Sequence, residues 1–122
     1  MSSLPESIAF ASIREIGNHL RASKFSSVEL TEFFLDRLTT LGPKLNAVVT
    51  VTEELAIRQA EQADRELKSG TDRGPLHGIP YGVKDLLATK DVPTSWGAAP
   101  FRDRVIDADS TVVARLAEAG AV

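Results

Sequence analysis

The stretch GPLHGIPYGVKD, residues 74–85, sets a charged lysine at the end of a short apolar run that glycines and prolines introduce. Residues 79–86 have the length and apolar content of a buried strand, bounded by turn-forming residues. Alternation along such a strand puts Ile79, Tyr81 and Val83 on one face and Pro80, Gly82 and Lys84 on the other. Gly82 makes that second face shallow, since a glycine inside a strand marks a gap or a close backbone approach. Gly74, Pro75, Gly78 and Pro80 fix the path into the strand. The expectation is a small recess with an ammonium group at its end. Spacing alone favours the ordinary reading of Lys84, a lysine at a strand terminus reaching water. A phosphate cradle is excluded, because the P-loop sets its lysine directly after a glycine and before Ser or Thr. Here Val83 precedes Lys84 and Asp85 follows it.

Outward from this stretch, the pattern predicts helices on both sides. Ser12 with Glu15, and Ser26 with Glu29, have capping-box spacing. Ile13, Ile16 and Leu20 follow the first at helical intervals. Leu30, Phe33, Phe34, Leu38 and Leu41 follow the second, and Gly42-Pro43 is expected to stop that helix. LNAVVTV (residues 45–51) is short, apolar and β-branched, which predicts another strand. A long helix is expected over residues 53–69, with a thin stripe of Ala56, Ala60, Ala63 and Leu67. Its outer face offers Glu54/Arg58, Glu61/Arg65 and Asp64/Lys68 as i,i+4 pairs. Residues 87–107 read as loop. Asp109 or Ser110 then caps a last helix whose inner face is Val112, Val113, Leu116 and Ala117. Ala121-Val122 reads as the first step of a further strand, as in a piece of a larger α/β domain.

The 122 residues suit one domain at most, and 43% hydrophobic with 25% charged residues is a globular composition. A net charge of −3 with scattered basic residues argues against nucleic acid as a partner, which needs a clustered positive face. The N-terminus lacks the pattern of a secretory signal, and no apolar run reaches the ~20 residues of a membrane span. With no cysteine there is neither a disulfide framework nor a thiol nucleophile. The expected setting is cytoplasmic, without a membrane. No metal is expected, because neither His19 nor His77 has a second ligand at suitable spacing. No cofactor is expected either. Asp103, Asp107 and Asp109 lack the glycine and glutamate of a calcium loop and read as a solvated loop with a helix cap. Trp96 reads as core or as the lining of a substrate entrance, and Asp85 as a residue that fixes the loop.

Residues 26–51, the acidic-basic helix after them, GPLHGIPYGVKDLLATKDVPTSWG (residues 74–97) and DADSTVVARLAEAGAV (residues 107–122) resemble, in that order, the N-terminal part of the amidase signature family. The resemblance covers the chain from about Ser12 onward, and the lysine segment is its most specific part. It implies an α/β fold in which this chain gives N-terminal helices and the first strands of a mixed sheet, left incomplete. By that likeness, residues 1–122 are the N-terminal segment of a single amidase domain. Within it, 1–11 form an arm, 12–70 a helical region with one strand, and 71–122 the lysine-bearing strand, loop and helix.

The resemblance further implies a Ser-cis-Ser-Lys triad that hydrolyses a small-molecule carboxamide through an acyl-serine, with Lys84 as the catalytic lysine and general base. A lysine titrates near ~10.4 when free, so the chemistry requires a water-poor notch that keeps the amine uncharged. The two triad serines of the family lie downstream of the matched region. Ser110 is better read as a cap, and Ser95 has no nucleophile-elbow context. The chain alone is therefore expected to be inactive. Two further readings stay open. One is the glutamine-hydrolysing component of a glutamyl-tRNA amidotransferase, its A subunit, where the amidase frees ammonia from glutamine. The other is a non-catalytic remnant that binds a partner through an unfinished sheet edge.

Overall fold

The computed structural model describes residues 4–122. A 3-10 turn at Glu6–Phe10 leads into α1 (Ile13–Arg21), α2 (Ser27–Thr40), the single turn α3 (Gly42–Leu45), α4 (Glu53–Lys68), a 3-10 turn at Ala99–Phe101, and α5 (Thr111–Glu118). Both expected capping boxes form. The hydroxyl of Ser12 accepts from the Glu15 amide while the Glu15 carboxylate accepts from the Ser12 amide, and Ser26 and Glu29 repeat the arrangement. Each box satisfies two amide donors that a helix start leaves without partners. Ser110 caps α5, its hydroxyl accepting from the Val113 amide. Asp109 instead accepts from the Lys90 amide at 2.7 Å and ties the preceding loop to the helix start.

The core gathers Ile8, Ile16, Leu20, Phe25, Leu30, Phe33 and Ile79, with Leu4, Ala9, Ala11 and Phe34 packed around them. It therefore joins the N-terminal turn, α1 and α2 to one residue of the lysine segment. α4 lies against α2, and its small residues Ala60 and Ala63 are buried. An alanine stripe lets two helix backbones approach closely, so its thinness suits this contact. Of the three i,i+4 pairs expected on α4, Glu61 and Arg65 approach to 3.9 Å among the described residues. Asp64 does something else: its carboxylate accepts from the amides of Ser27 at 2.7 Å and Val28 at 3.2 Å. An aspartate from α4 thus caps the first turn of α2, where a negative charge also complements the helix dipole.

Of the expected α/β class the helices form, and a sheet is not shown. Among the described residues there is no strand, and the chain is helical with long irregular connections. Residues 45–51 are not a strand. Leu45 closes α3, Asn46 takes a left-handed conformation at φ 49° and ψ 39°, and the chain runs on irregularly to Val51. Leu45 and Val49 are 74% and 71% exposed. Apolar, β-branched sequence suits a strand only where a neighbour supplies the ladder of hydrogen bonds, and these residues meet none. Gly42-Pro43 does not simply stop α2 but begins the turn α3.

The expected strand over residues 79–86 is likewise extended chain without a ladder, and only Ile79 of its presumed inner face is buried. One element of pairing does occur. The Gly78 amide donates to Gly120 O at 2.8 Å, the Val122 amide to Ile79 O at 3.0 Å, and the Tyr81 amide to Val122 O at 2.9 Å. Donors from the two segments alternate as in a parallel ladder, so residues 78–81 and 120–122 make a single parallel rung. An isolated antiparallel bridge joins Pro93 and Val105.

Candidate active site

Lys84 stands on the wall of an open groove of about 950 Å³, formed by α2, the 47–52 connection, the lysine segment and the 92–97 loop. The segment turns at the lysine, whose carbonyl accepts from the amides of Leu86 at 2.7 Å and Leu87 at 3.0 Å. Lys84 is exposed, and so is Gly82, where a Cβ would meet nothing within 4 Å. The recess expected from the glycine is present as open space. Residues of the lysine segment and the 92–97 loop form one wall of it.

Beside the lysine, Asp85 organises the loop that follows. Its carboxylate accepts from the Ser95 amide at 2.8 Å and from the Ser95 hydroxyl, and its carbonyl accepts from the Trp96 amide at 3.1 Å. The Ser95 hydroxyl in turn accepts from the Gly97 amide at 3.1 Å. The Ser95 hydroxyl, followed by its amide, holds the Asp85 carboxyl below the usual carboxylate range. Asp85 thus fixes the loop, as its position suggested, and Ser95 is buried and engaged by Asp85. Trp96 is half exposed at the groove, edge-on to Phe101, and the Arg104 guanidinium lies 3.9 Å from the Trp96 ring centroid and 4.4 Å from that of Phe101. Trp96 therefore lines the groove and is not core.

Asp107 pairs with Lys90 at 3.4 Å, so the acidic residues before α5 serve the loop. Among the described residues no group of three His, Asp or Glu side chains is placed to hold a metal ion. His19 packs against Phe25.

One cluster was not legible in the sequence. His77 is fully buried, its Nδ1 accepting from the Arg73 amide at 3.0 Å and its Nε2 lying 3.0 Å from Glu66 Oε2. Arg73 grips Glu66 through two bonds of 2.7 and 2.5 Å. Arg21 grips Asp72 at 2.8 and 2.7 Å and reaches Gly74 O at 2.8 Å. The cluster anchors α1, the end of α4 and the beginning of the lysine segment to one another. A signal existed in the four-residue step from Arg73 to His77 and in the acid one helical turn before Gly70. Neither spacing is specific enough to name the partners.

The two carboxyls of this cluster make acid stability testable. Arg73, with Gln62, draws the Glu66 carboxyl from 4.5 down to about 2, and Arg21, with the Gly74 amide, draws Asp72 from 3.8 to about 2. A folded pKa below the unfolded one means that the unfolded chain binds more protons, so stability rises with pH through that window. The contribution is complete above about pH 4.5 and is lost as the pH falls toward 2. Urea unfolding between these limits is expected to show a falling midpoint. Glu66→Gln should flatten that slope, and added salt should weaken it because both pairs are partly exposed. A slope unchanged by Glu66→Gln would remove Glu66 from the account.

The family model described as Amidase matches residues 29–122. The chain belongs to the amidase family. It is 42% identical over 112 residues to the A subunit of the glutamyl-tRNA(Gln) amidotransferase of Cyanothece sp., covering 92% of this chain and 23% of that protein. The peptide amidase of Stenotrophomonas maltophilia superposes with a TM-score of 0.90 at 34% identity, covering 97% of this chain and 24% of that one. A fatty acid amide hydrolase superposes with a TM-score of 0.85 at 30% identity, over 98% of this chain and 21% of the other. The chain thus spans about a quarter of the length of the amidase relatives it matches. Lys84, Asp85 and the 92–97 loop all fall within the matched family region.

Proposed function

We propose that these residues form the lysine-bearing N-terminal part of an amidase, which hydrolyses a small-molecule carboxamide through an acyl-serine. The observation that carries the reading is Lys84 on the groove wall, inside the family-matched region and beside a loop that Asp85 holds in place. Lys84 is the general base. Its uncharged amine takes a proton, through the cis-serine, from the serine that attacks the amide carbonyl. The serines and the residues that close the dry side of the groove come from outside residues 1–122, so this chain by itself does not turn over. A base without a nucleophile to activate cannot begin acyl transfer.

A second reading is favoured by a relative's name. The glutamyl-tRNA(Gln) amidotransferase relative, 42% identical, points to glutamine as the amide, with ammonia as the useful product. Both readings are tested by measuring ammonia release from glutamine and from aryl and aliphatic carboxamides in the intact protein that carries this sequence. Hydroxylamine added to the reaction is expected to divert the acyl group into a hydroxamate. Marked preference for glutamine selects the second reading. Ammonia release without hydroxamate formation argues against an acyl-enzyme, and no release from any amide rejects the amidase reading.

A further inference from the structure

We infer that His77 is a positioning residue for Lys84, holding the path of the lysine segment through its Nδ1 lone pair and its contact with Gly120. The inference rests on the proposed role of Lys84. Because Nδ1 accepts from the Arg73 amide, the ring of the neutral form carries its proton on Nε2, which lies 3.0 Å from Glu66 Oε2 without the alignment of a hydrogen bond. The fully buried ring sits against Gly120, where an added Cβ would lie 2.5 Å from His77 Cδ2. Gly120 O accepts the Gly78 amide, and one residue further begins the rung between Ile79, Tyr81 and Val122. His77 is therefore the wedge that sets the spacing between the end of α5 and residues 78–81. Lys84 leaves that rung three residues later, through a stretch that is itself exposed. On the far side Asp85 ties the chain to Ser95 and Trp96, so the position of Lys84 is set between that anchor and the rung.

An error of about 1 Å in a reacting group costs on the order of 10²-fold in rate. In the intact protein, His77→Leu keeps the volume of the ring but removes the acceptor. It is expected to lower kcat roughly 10- to 100-fold, measured per folded molecule, with KM little changed. Amide exchange at Gly78, Tyr81 and Val122 should quicken, while Ser27 and Val28, held by Asp64, keep their protection. His77→Asn, which can place an acceptor near the position of Nδ1, should recover most of the loss, and His77→Gln should not.

A folded His77→Leu protein with near-normal kcat overturns the inference, whatever happens to its stability. Should His77→Leu not fold, equal kcat in the Asn and Gln variants overturns it in the same way. Lys84→Ala run beside them separates the two ideas. If it retains turnover, the catalytic reading of Lys84 falls and this inference falls with it. If it is inactive while His77→Leu is active, only the inference falls.

Discussion

Lys84→Ala in the intact protein is expected to lower kcat for amide hydrolysis by about 10²–10⁴-fold, the span that a positioned general base contributes. KM should change little, because the amine acts on the proton of the nucleophile and not on the bound amide. Turnover is to be expressed per folded molecule, with the unfolding midpoint measured beside it. Lost turnover in protein that is still folded separates a chemical role from a structural one. Lys84→Arg makes the test sharper. A guanidinium is charged at every working pH and cannot accept a proton, so arginine should be as inactive as alanine. If arginine restored turnover, position 84 would be supplying positive charge and not basicity. Near-normal turnover in the alanine variant would end the assignment.

Helix starts were readable from residue types, and the reason is local. Ser12, Ser26 and Ser110 each meet a donor three residues ahead, within one turn of the same helix. Nothing distant has to be known. The expected strands do not form among the described residues, for the opposite reason. Residues 45–51 and 79–86 have the composition of buried strands, but a strand exists only with its neighbour, and the described residues supply one rung at 78–81 and none at 45–51. Val48, Val49, Val51, Tyr81, Val83 and Leu86 line the groove instead, with Val83 39% and Leu86 52% exposed.

The site divides along the same line. Asp85 could be read as a loop anchor because its partner Ser95 lies ten residues away in the adjoining loop. Asp64 could not be read as the cap of α2, since its spacing to Lys68 satisfied a simpler local rule and Ser27 is 37 residues distant. The surroundings of His77 draw on three separate segments, the end of α4, the 73–77 stretch and Gly120, and no short window of sequence contains them.

Gly120→Ala is expected to destabilise the protein by about 2–5 kcal/mol, the sum of two separable costs. The first is conformational. Gly120 follows the last turn of α5 at φ +76°, a left-handed conformation that costs an L residue about 1–2 kcal/mol. The second is steric. The new methyl would lie 2.5 Å from His77 Cδ2 and 3.0 Å from Cγ. The ring is fully buried and tethered through Nδ1, so it cannot step aside as the nearby Arg73 side chain can. Overpacking of that kind costs typically ~1–3 kcal/mol.

Gly70 supplies the control within the same molecule. It ends α4 in the same way at φ +88°, but nothing lies within 4 Å of its Cβ position. Gly70→Ala should therefore show the conformational cost alone. The difference between the two variants in urea unfolding measures the pressure on His77. Combining Gly120→Ala with His77→Ala opens space for the methyl, so the double variant should lose less stability than the sum of the singles. Equal costs for Gly70→Ala and Gly120→Ala, with strict additivity in the double variant, would mean that the imidazole is not the rigid wedge between α5 and the lysine segment.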